Sequence, residues 1–501
     1  MGEKLEQLKA RLTRPIDLLH AAAVLSWDQE VYMPAGGTDA RAEQLSTLSA
    51  MAHEILIAEE TGKLLEAAEA EVAGMDYGSD EASTVRSTRR QYDRLTKIPT
   101  DLIIRERRAA SQAFVVWRQA REEKNYAAFQ PNLQEIMDIT LEKAEHLGYE
   151  EHPYDALLDF FEPGIKTAQV EKLFGDLKRG LVPLAQEIAA KEPIDDGFFE
   201  KREYAPDKQW DFTMLLLRDM GYDFNRGRQD KAPHPFTINF SSTDVRVTTR
   251  LLPNRPQSAV FSSVHEGGHA LYEQGIPEMY DRTVLSGGAT LGLHESQSRL
   301  WENQVARSIP FWTHYYPILR ASFPEQLGDI DFERFYRAIN KVQPDFIRVE
   351  ADEVTYNLHI FVRFEMEKDL VTGKLKVEDV PEAWNARYEE YLGVTPPDDA
   401  LGCLQDIHWS HGTIGYFPTY SIGNLISAQL YDRVKQEIPG LEDGYTRGEF
   451  APLLDWLRKK VHVHGAKFTA PELVERELGQ EISAQPLLDY MRAKYTAIYD
   501  L

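Results

Sequence analysis

The segment SSVHEGGHALYEQG, residues 262–275, carries two histidines four apart with a glutamate after the first: His265, Glu266 and His269. On a helix, positions i and i+4 lie on one face, so both imidazoles can present a nitrogen to one metal ion. Zinc is the usual occupant of such a pair, completed in catalytic sites by one more protein ligand and an open position for water. Glu266 can reach that water but not the metal; there it would act as general base and then carry the proton to a leaving amine. Gly267 and Gly268 sit between the ligands, where interior glycines cost roughly 1 kcal/mol each relative to alanine. They face away from the metal, so their missing side chains let another backbone or helix approach closely.

A third ligand is offered downstream by TLGLHESQSRLWENQVARS, an amphipathic segment after a Gly-rich turn, with His294, Glu295 and Glu302. A carboxylate from a second helix is the expected partner of two histidines in a metallopeptidase. Glu295 is the choice, and Glu302, two turns along the same face, is the reserve. Hydrolysis of a peptide also needs donors where the tetrahedral oxyanion develops. The segment DIHWSHGTIGYFPTYSIGN offers His408, His411, Tyr416 and Tyr420. An enzyme that recognises a free C-terminal carboxylate would use a guanidinium, which binds it bidentately. Arg348, Arg246 and Arg250 are the candidates. Arg348 precedes Glu350, Asp352 and Glu353, so a structural ion pair competes with that role, and Asp352 could instead orient a metal-bound imidazole. Asp244 would hold Arg246 in place and limit how much peptide passes the cleaved bond, and His234 would line the substrate channel.

These residues must be positioned by a body that is mostly α. Segments such as LEQLKARLTRPIDLLHAAAVLSW, VEKLFGDLKRGLVPLAQEIAAK and VEADEVTYNLHIFVRFEMEKDL repeat apolar residues at three and four. The last places Val354, Leu358, Phe361 and Val362 on one face of an amphipathic helix. HPFTINFSSTDVRVTTRLLP, residues 234–253, alternates instead and predicts two or three short strands just ahead of the metal helix. A sheet edge there could hydrogen-bond an extended peptide. The 501 residues are read as one helical unit, with 1–195 an N-terminal half covering a groove and 196–501 the catalytic half. The polar stretch 194–233 is the hinge between them. VHVHGAKF, with His462 and His464, reads as a surface or interface segment rather than a second metal site.

Composition narrows the setting. A formal charge of −25 argues against a nucleic-acid partner. No apolar run approaches membrane-spanning length, and the charged N-terminus lacks a signal-peptide core. The single cysteine, Cys403, reads as a small buried apolar residue and suits a reducing compartment, so a cytoplasmic protein is expected.

HEGGH, followed after 25 residues by the glutamate of HESQS, resembles the thermostable metallocarboxypeptidase family known as the carboxypeptidase Taq type. WDQEVYMPAGGTDARAEQ, HPF, DVRVT, IRVEAD, GCLQ and GYFPTYSIGN appear in the expected order between residues 27 and 424. The resemblance implies a fold like that of angiotensin-converting enzyme and the thimet-type oligopeptidases, with a deep groove between two helical halves. It also implies a homodimer, one divalent metal (zinc, or cobalt) and release of single C-terminal residues from oligopeptides with broad specificity. Similar folds place a His and a Tyr of one loop over the metal, which favours Tyr420 with His408 or His411 as the oxyanion donors. Two other functions are weighed: an oligopeptidase cutting internally or releasing dipeptides with the same metal chemistry, and a helical binding protein whose metal is structural.

Overall fold

Where apolar residues recur at helical spacing, the computed structural model, which describes residues 2–501, forms helices. The longest are Glu3–Val31, Thr100–Glu122, Thr167–Ala189 and Tyr126–Leu147. The chain gathers into two units, each built from three separated segments. One comprises the residues up to Thr96, Asp195–Ile339 and Leu430–Gln480; the other comprises Lys97–Ile194, Asn340–Gln429 and Glu481–Leu501. Residues 1–195 thus contribute to both units. The polar stretch 194–233 belongs almost wholly to the first unit and contains the helix Pro206–Met220.

In the first unit, Leu5, Leu8 and Leu12 of the N-terminal helix cluster with Leu65, Ala68 and Val85. Full burial of each leucine is worth roughly 1.5–3 kcal/mol. Glu71 accepts from the backbone N–H groups of Lys4 and Leu5, satisfying two donors that a helix start leaves open. The only sheet among the described residues has three strands: β1 (Gln229–Lys231), β2 (Thr237–Ser241) and β3 (Asp244–Thr249). β3 is central, antiparallel to β2 with Thr237 opposite Val247, and parallel to β1. Residues 234–253 therefore supply two strands, and the third comes from the polar stretch upstream. Ser263 on the metal helix donates to Thr249 on β3 (2.9 Å), which fixes the sheet beside that helix.

In the second unit, the helices Thr100–Glu122 and Tyr126–Leu147 share the cluster of Leu102, Ala109 and Ile139. Trp117 Nε1 donates to the carbonyl of Leu404 and the Tyr126 hydroxyl to that of Val377. The segment read as one amphipathic helix from Val349 behaves differently. Its helix begins at Tyr356 and is buried on nearly every side, including His359, Arg363 and Glu367. The apolar stripe is real, but the opposite face is covered too: His359 Nδ1 meets the Tyr388 hydroxyl, Arg363 pairs with Asp406 and Glu367 accepts from Trp409. Before it, Asp352 accepts from the backbone N–H groups of Gln343, Val354 and Thr355 and from the Thr355 hydroxyl. Asp352 is thus a local cap, and the suggestion that it orients a metal-bound imidazole is not met.

Candidate active site

The helix Pro256–Gly275 presents the two histidines on one side, and the helix Leu291–Arg299 brings Glu295 to them. The Oε2 atom of Glu295 lies 3.5 Å from His265 Nε2 and 3.4 Å from His269 Nε2. The three donor atoms fall within 4.8 Å of one another, the one such grouping among the described residues. Two imidazole nitrogens and a carboxylate suit a divalent ion of the zinc type and leave coordination positions for water or substrate.

The crossing of these helices depends on Gly268. A Cβ there would lie 2.7 Å from the Cα of Ser298 and 2.8 Å from the carbonyl oxygen of Gln297. Both are backbone atoms of the helix that carries Glu295, so the close approach anticipated for the glycine pair is made by the second ligand helix itself. Gly267 faces the ends of Leu217 and Met220 on the helix Pro206–Met220 instead.

Each ligand imidazole is held from behind. Glu302 Oε2 lies 2.9 Å from His265 Nδ1, and His269 Nδ1 lies 2.6 Å from His294 Nδ1. His294 Nε2 is in turn 2.7 Å from Glu273 Oε1, and Glu273 also accepts from Asn239 Nδ2 and the backbone of Gly288. The chain reads consistently with protons on His269 Nδ1 and His294 Nε2, which leaves His269 Nε2 as a lone pair for metal. Glu302, the reserve ligand, is thus the residue that orients His265. It is presented by a π-helical turn, Leu300–Val305, an irregularity common at functional sites.

Charge at the site is arranged by Arg299, whose Nε donates to Glu295 (2.7 Å) and whose Nη1 donates to Glu302 (3.2 Å). Burial alone would raise both carboxyls; Arg299 and His265 outweigh it, so Glu295 lies well below the usual range and Glu302 at about 2. Burial pulls His269 down to about 3, whereas His265 is raised because Glu295 and Glu302 outweigh its desolvation. Glu266 is buried and raised by that burial, partly offset by His265 and by Thr237. The hydroxyl of Thr237, on β2, lies 2.7 Å from Glu266 Oε2. A carboxylate pushed toward neutrality and oriented by a hydroxyl is suited to take up and release a proton.

On the sheet, Arg246 donates Nε and Nη2 to Asp244 (2.9 and 2.8 Å), as the sequence suggested. Its guanidinium also lies 4.3 Å from the Trp27 ring and 4.8 Å from the Phe240 ring, so the conspicuous WDQEVY segment packs on this arginine. Arg250 follows β3 directly and is half-buried, and its Nε is buried with no acceptor. His234 is exposed in the turn before β2.

The oxyanion candidates and Arg348 lie in the second unit, around a 3₁₀ turn at His408–His411. His408 Nε2 is 3.5 Å from the Tyr420 hydroxyl, and the Tyr416 and Tyr420 rings meet edge to face. His408 is half-buried and drawn down to about 4 by desolvation, so it is neutral at ordinary pH; His411 is exposed beside Phe114. Arg348 is indeed paired, but its partner is Asp406 rather than the acidic residues that follow it in sequence. Its Nε and Nη2 both lie 3.0 Å from Asp406 Oδ1, and its guanidinium lies over the Tyr420 ring. Asp406 also takes Arg363, and the two arginines hold its carboxyl far below the usual range against the cost of burial. In the first unit, His462, read from sequence as part of a surface or interface segment, is buried under Tyr272 with Nε2 on Gln297; His464 pairs with Glu477.

Glu273, Arg299, Thr237 and Asp406 were not anticipated. Only Arg299 had a usable signal, four residues after Glu295 on one helix face.

The comparisons with known proteins agree with this geometry. The sequence model of the family described as "Carboxypeptidase Taq (M32) metallopeptidase" matches residues 7–495. The chain belongs to the M32 family. It is 42% identical over 492 residues to thermostable carboxypeptidase 1 of Thermus thermophilus, covering 96% of each chain. Against carboxypeptidase 1 of Bacillus subtilis it is 38% identical, covering 96% of this chain and 95% of the relative. The crystal structure of the M32 carboxypeptidase from Deinococcus radiodurans R1 superposes with a TM-score of 0.96 at 40% identity over the full length of both chains. Membership of M32 makes the chain a metal-dependent carboxypeptidase, and His265, His269 and Glu295 are the residues grouped to hold the metal.

Proposed function

We propose that the protein removes single residues from the C-termini of oligopeptides, with broad specificity, through His265, His269 and Glu295 as metal ligands and Glu266 as general base. The observation that carries this reading is the convergence of both Nε2 atoms on Glu295 beside a buried, hydroxyl-oriented Glu266. Zinc is the preferred ion, with cobalt a chemically similar substitute, and it supplies the positive charge that makes water nucleophilic at neutral pH and polarises a carbonyl.

The protein's own residues do the rest. Thr237 occupies Oε2 of Glu266, which leaves Oε1 to accept a proton from the attacking water and return it to the leaving amine. β2 is an edge strand and offers backbone groups to an extended peptide. Tyr420, assisted by His408 or His411, donates to the oxyanion, and Tyr416 and His234 line the path of the substrate. A guanidinium takes the terminal carboxylate. Arg246 and Arg348 already hold Asp244 and Asp406, whereas Arg250 keeps an unsatisfied Nε, which puts Arg250 ahead of the other two. The resemblance to the family also supports a homodimer in the cytoplasm, which sedimentation and fractionation test.

Two measurements test the reading. Glu266→Gln should retain metal and lower kcat by roughly 10²–10⁴-fold; a near-wild-type rate would refute the general base. Wild-type enzyme should strongly prefer a peptide acid to its C-terminal amide, and Arg250→Ala should erase that preference. If Arg246→Ala or Arg348→Ala erases it instead, the clamp is theirs; equal cleavage of acid and amide by the wild type would point to an oligopeptidase.

A further inference from the structure

Glu367 lies on the helix Tyr356–Val371 with no exposure to solvent, and nothing in the chemistry above uses it. Its carboxylate is nonetheless engaged by three donors from two separate pieces of the second unit. Oε1 accepts from Trp409 Nε1 (2.9 Å), in the 3₁₀ turn between His408 and His411. Oε2 accepts from the backbone N–H of Gly415 (3.0 Å), next to Tyr416. Oε2 also accepts from the hydroxyl of Tyr154 (2.6 Å), on the short helix Pro153–Leu158. All three partners are uncharged, so the carboxylate is compensated by directed donors alone; burial pushes it up to about 7.

The turn around Gly415 is equally constrained. Its φ is +96°, a left-handed conformation that favours glycine, and a Cβ there would lie 2.8 Å from the backbone carbon of Leu157. The segment from His408 to Tyr420, which runs from the 3₁₀ turn into the start of the helix Pro418–Glu437, is therefore seated on the Pro153–Leu158 helix at one point and fastened to Glu367 at two. The ring of His408 lies against Phe417 (centroids 4.4 Å apart), and its Nε2 is 3.5 Å from the Tyr420 hydroxyl. The anchoring through Trp409 and Gly415 fixes the backbone that carries these rings.

We propose that Glu367 is a positioning residue for catalysis, which fixes the segment leading from His408 to the start of the Tyr420 helix through Trp409 and Gly415, so that the donors on it act as a preorganised set. The inference rests on the reading of that loop as the source of the oxyanion donors. Preorganised donors stabilise the transition state more than the ground state, so loosening them lowers kcat and leaves KM largely unchanged.

The test uses the metal-loaded full-length enzyme and compares Glu367→Gln with Glu353→Gln. Glu353 is a second carboxylate of the same unit whose side chain is buried, bound to Lys494 and Tyr495 and remote in sequence from the loop. Gln at 367 fills the same volume but places an amide N–H₂ against donors. Amide hydrogen exchange over residues 408–417 should accelerate at least tenfold in Glu367→Gln and not in Glu353→Gln, while kcat falls about tenfold with KM and metal content held. Exchange no faster than in Glu353→Gln overturns the clamp, and so does faster exchange with wild-type kcat. If Glu367→Gln does not fold, Trp409→Phe removes one of the three donors and should give the same two changes, smaller in size; wild-type exchange and kcat there overturn the proposal. Tyr420→Phe and His408→Ala, measured alongside, separate the two readings. Wild-type kcat in both, with loop exchange still accelerated by Glu367→Gln, would fault the assignment of the donors rather than the clamp.

Discussion

Each ligand histidine is backed by a different kind of partner. His265 has a carboxylate directly on Nδ1, whereas His269 has an imidazole that relays to a carboxylate. Removing such a partner loosens ring orientation and typically costs 10–100-fold in metal affinity. Glu302→Gln should therefore weaken metal binding by roughly 10–100-fold in chelator competition while His265 itself stays in place; unchanged affinity would mean that helix packing alone aims the ring. The same residue has a pH signature in the metal-free protein. Its folded pKa of about 2 lies below the ordinary 4.5, so its stabilising contribution is complete above 4.5 and is lost as pH falls toward 2. The melting-temperature gap between wild type and Glu302→Gln should accordingly close across that interval. At this scale His265, Glu266, His269 and Glu295 were legible, because helix geometry turns a four-residue spacing into a shared face. Glu273, Asp406 and Glu367 were not, because a charged residue in a helical pattern reads as solvated until burial and partner are known.

Among elements, the decisive contact is between the helices Pro256–Gly275 and Leu291–Arg299. The two adjacent glycines of the first have unequal roles. Gly268 faces backbone, which can give way only by separating the helices and drawing Glu295 off the histidines. Gly267 faces the flexible ends of Leu217 and Met220, which can move. Gly268→Ala should cost roughly 1–3 kcal/mol through overpacking and weaken metal binding as well. Gly267→Ala should be close to neutral, since relief of the helix-interior glycine, about 1 kcal/mol, offsets the side-chain adjustment. Thermal melts and metal titrations of the two variants check this, and equal effects would show that the crossing does not depend on Gly268. The sequence announced the close approach but not its partner, since glycine marks where space is needed and carries no information about what fills it. For the same reason β1 went unseen: three polar residues show no alternation, and only pairing with β3 makes them a strand.

Over the whole molecule, helical class was legible from periodicity, but the division into units was not, because each unit joins segments far apart in sequence. The entire metal-ligand set, with Glu266, Glu273, Arg299 and Glu302 around it, lies in the first unit. That placement bears on what metal removal does. Without an ion, Glu295 still has Arg299, His265 still has Glu302, His269 still has His294, and Glu266 still has Thr237. Each of these four buried groups keeps a protein partner, so the metal completes a site that the fold already builds. Chelation should abolish hydrolysis while far-ultraviolet circular dichroism stays helical, in contrast to domains that fold only around their zinc. The melting temperature should then climb with free metal as mass action requires, each tenfold excess over Kd adding about 1.4 kcal/mol. Activity should return on refilling with zinc or cobalt without a refolding step. Loss of helical signal on chelation, or recovery only after denaturation and refolding, would show that the site is held by the ion rather than by the carboxylates and imidazoles around it.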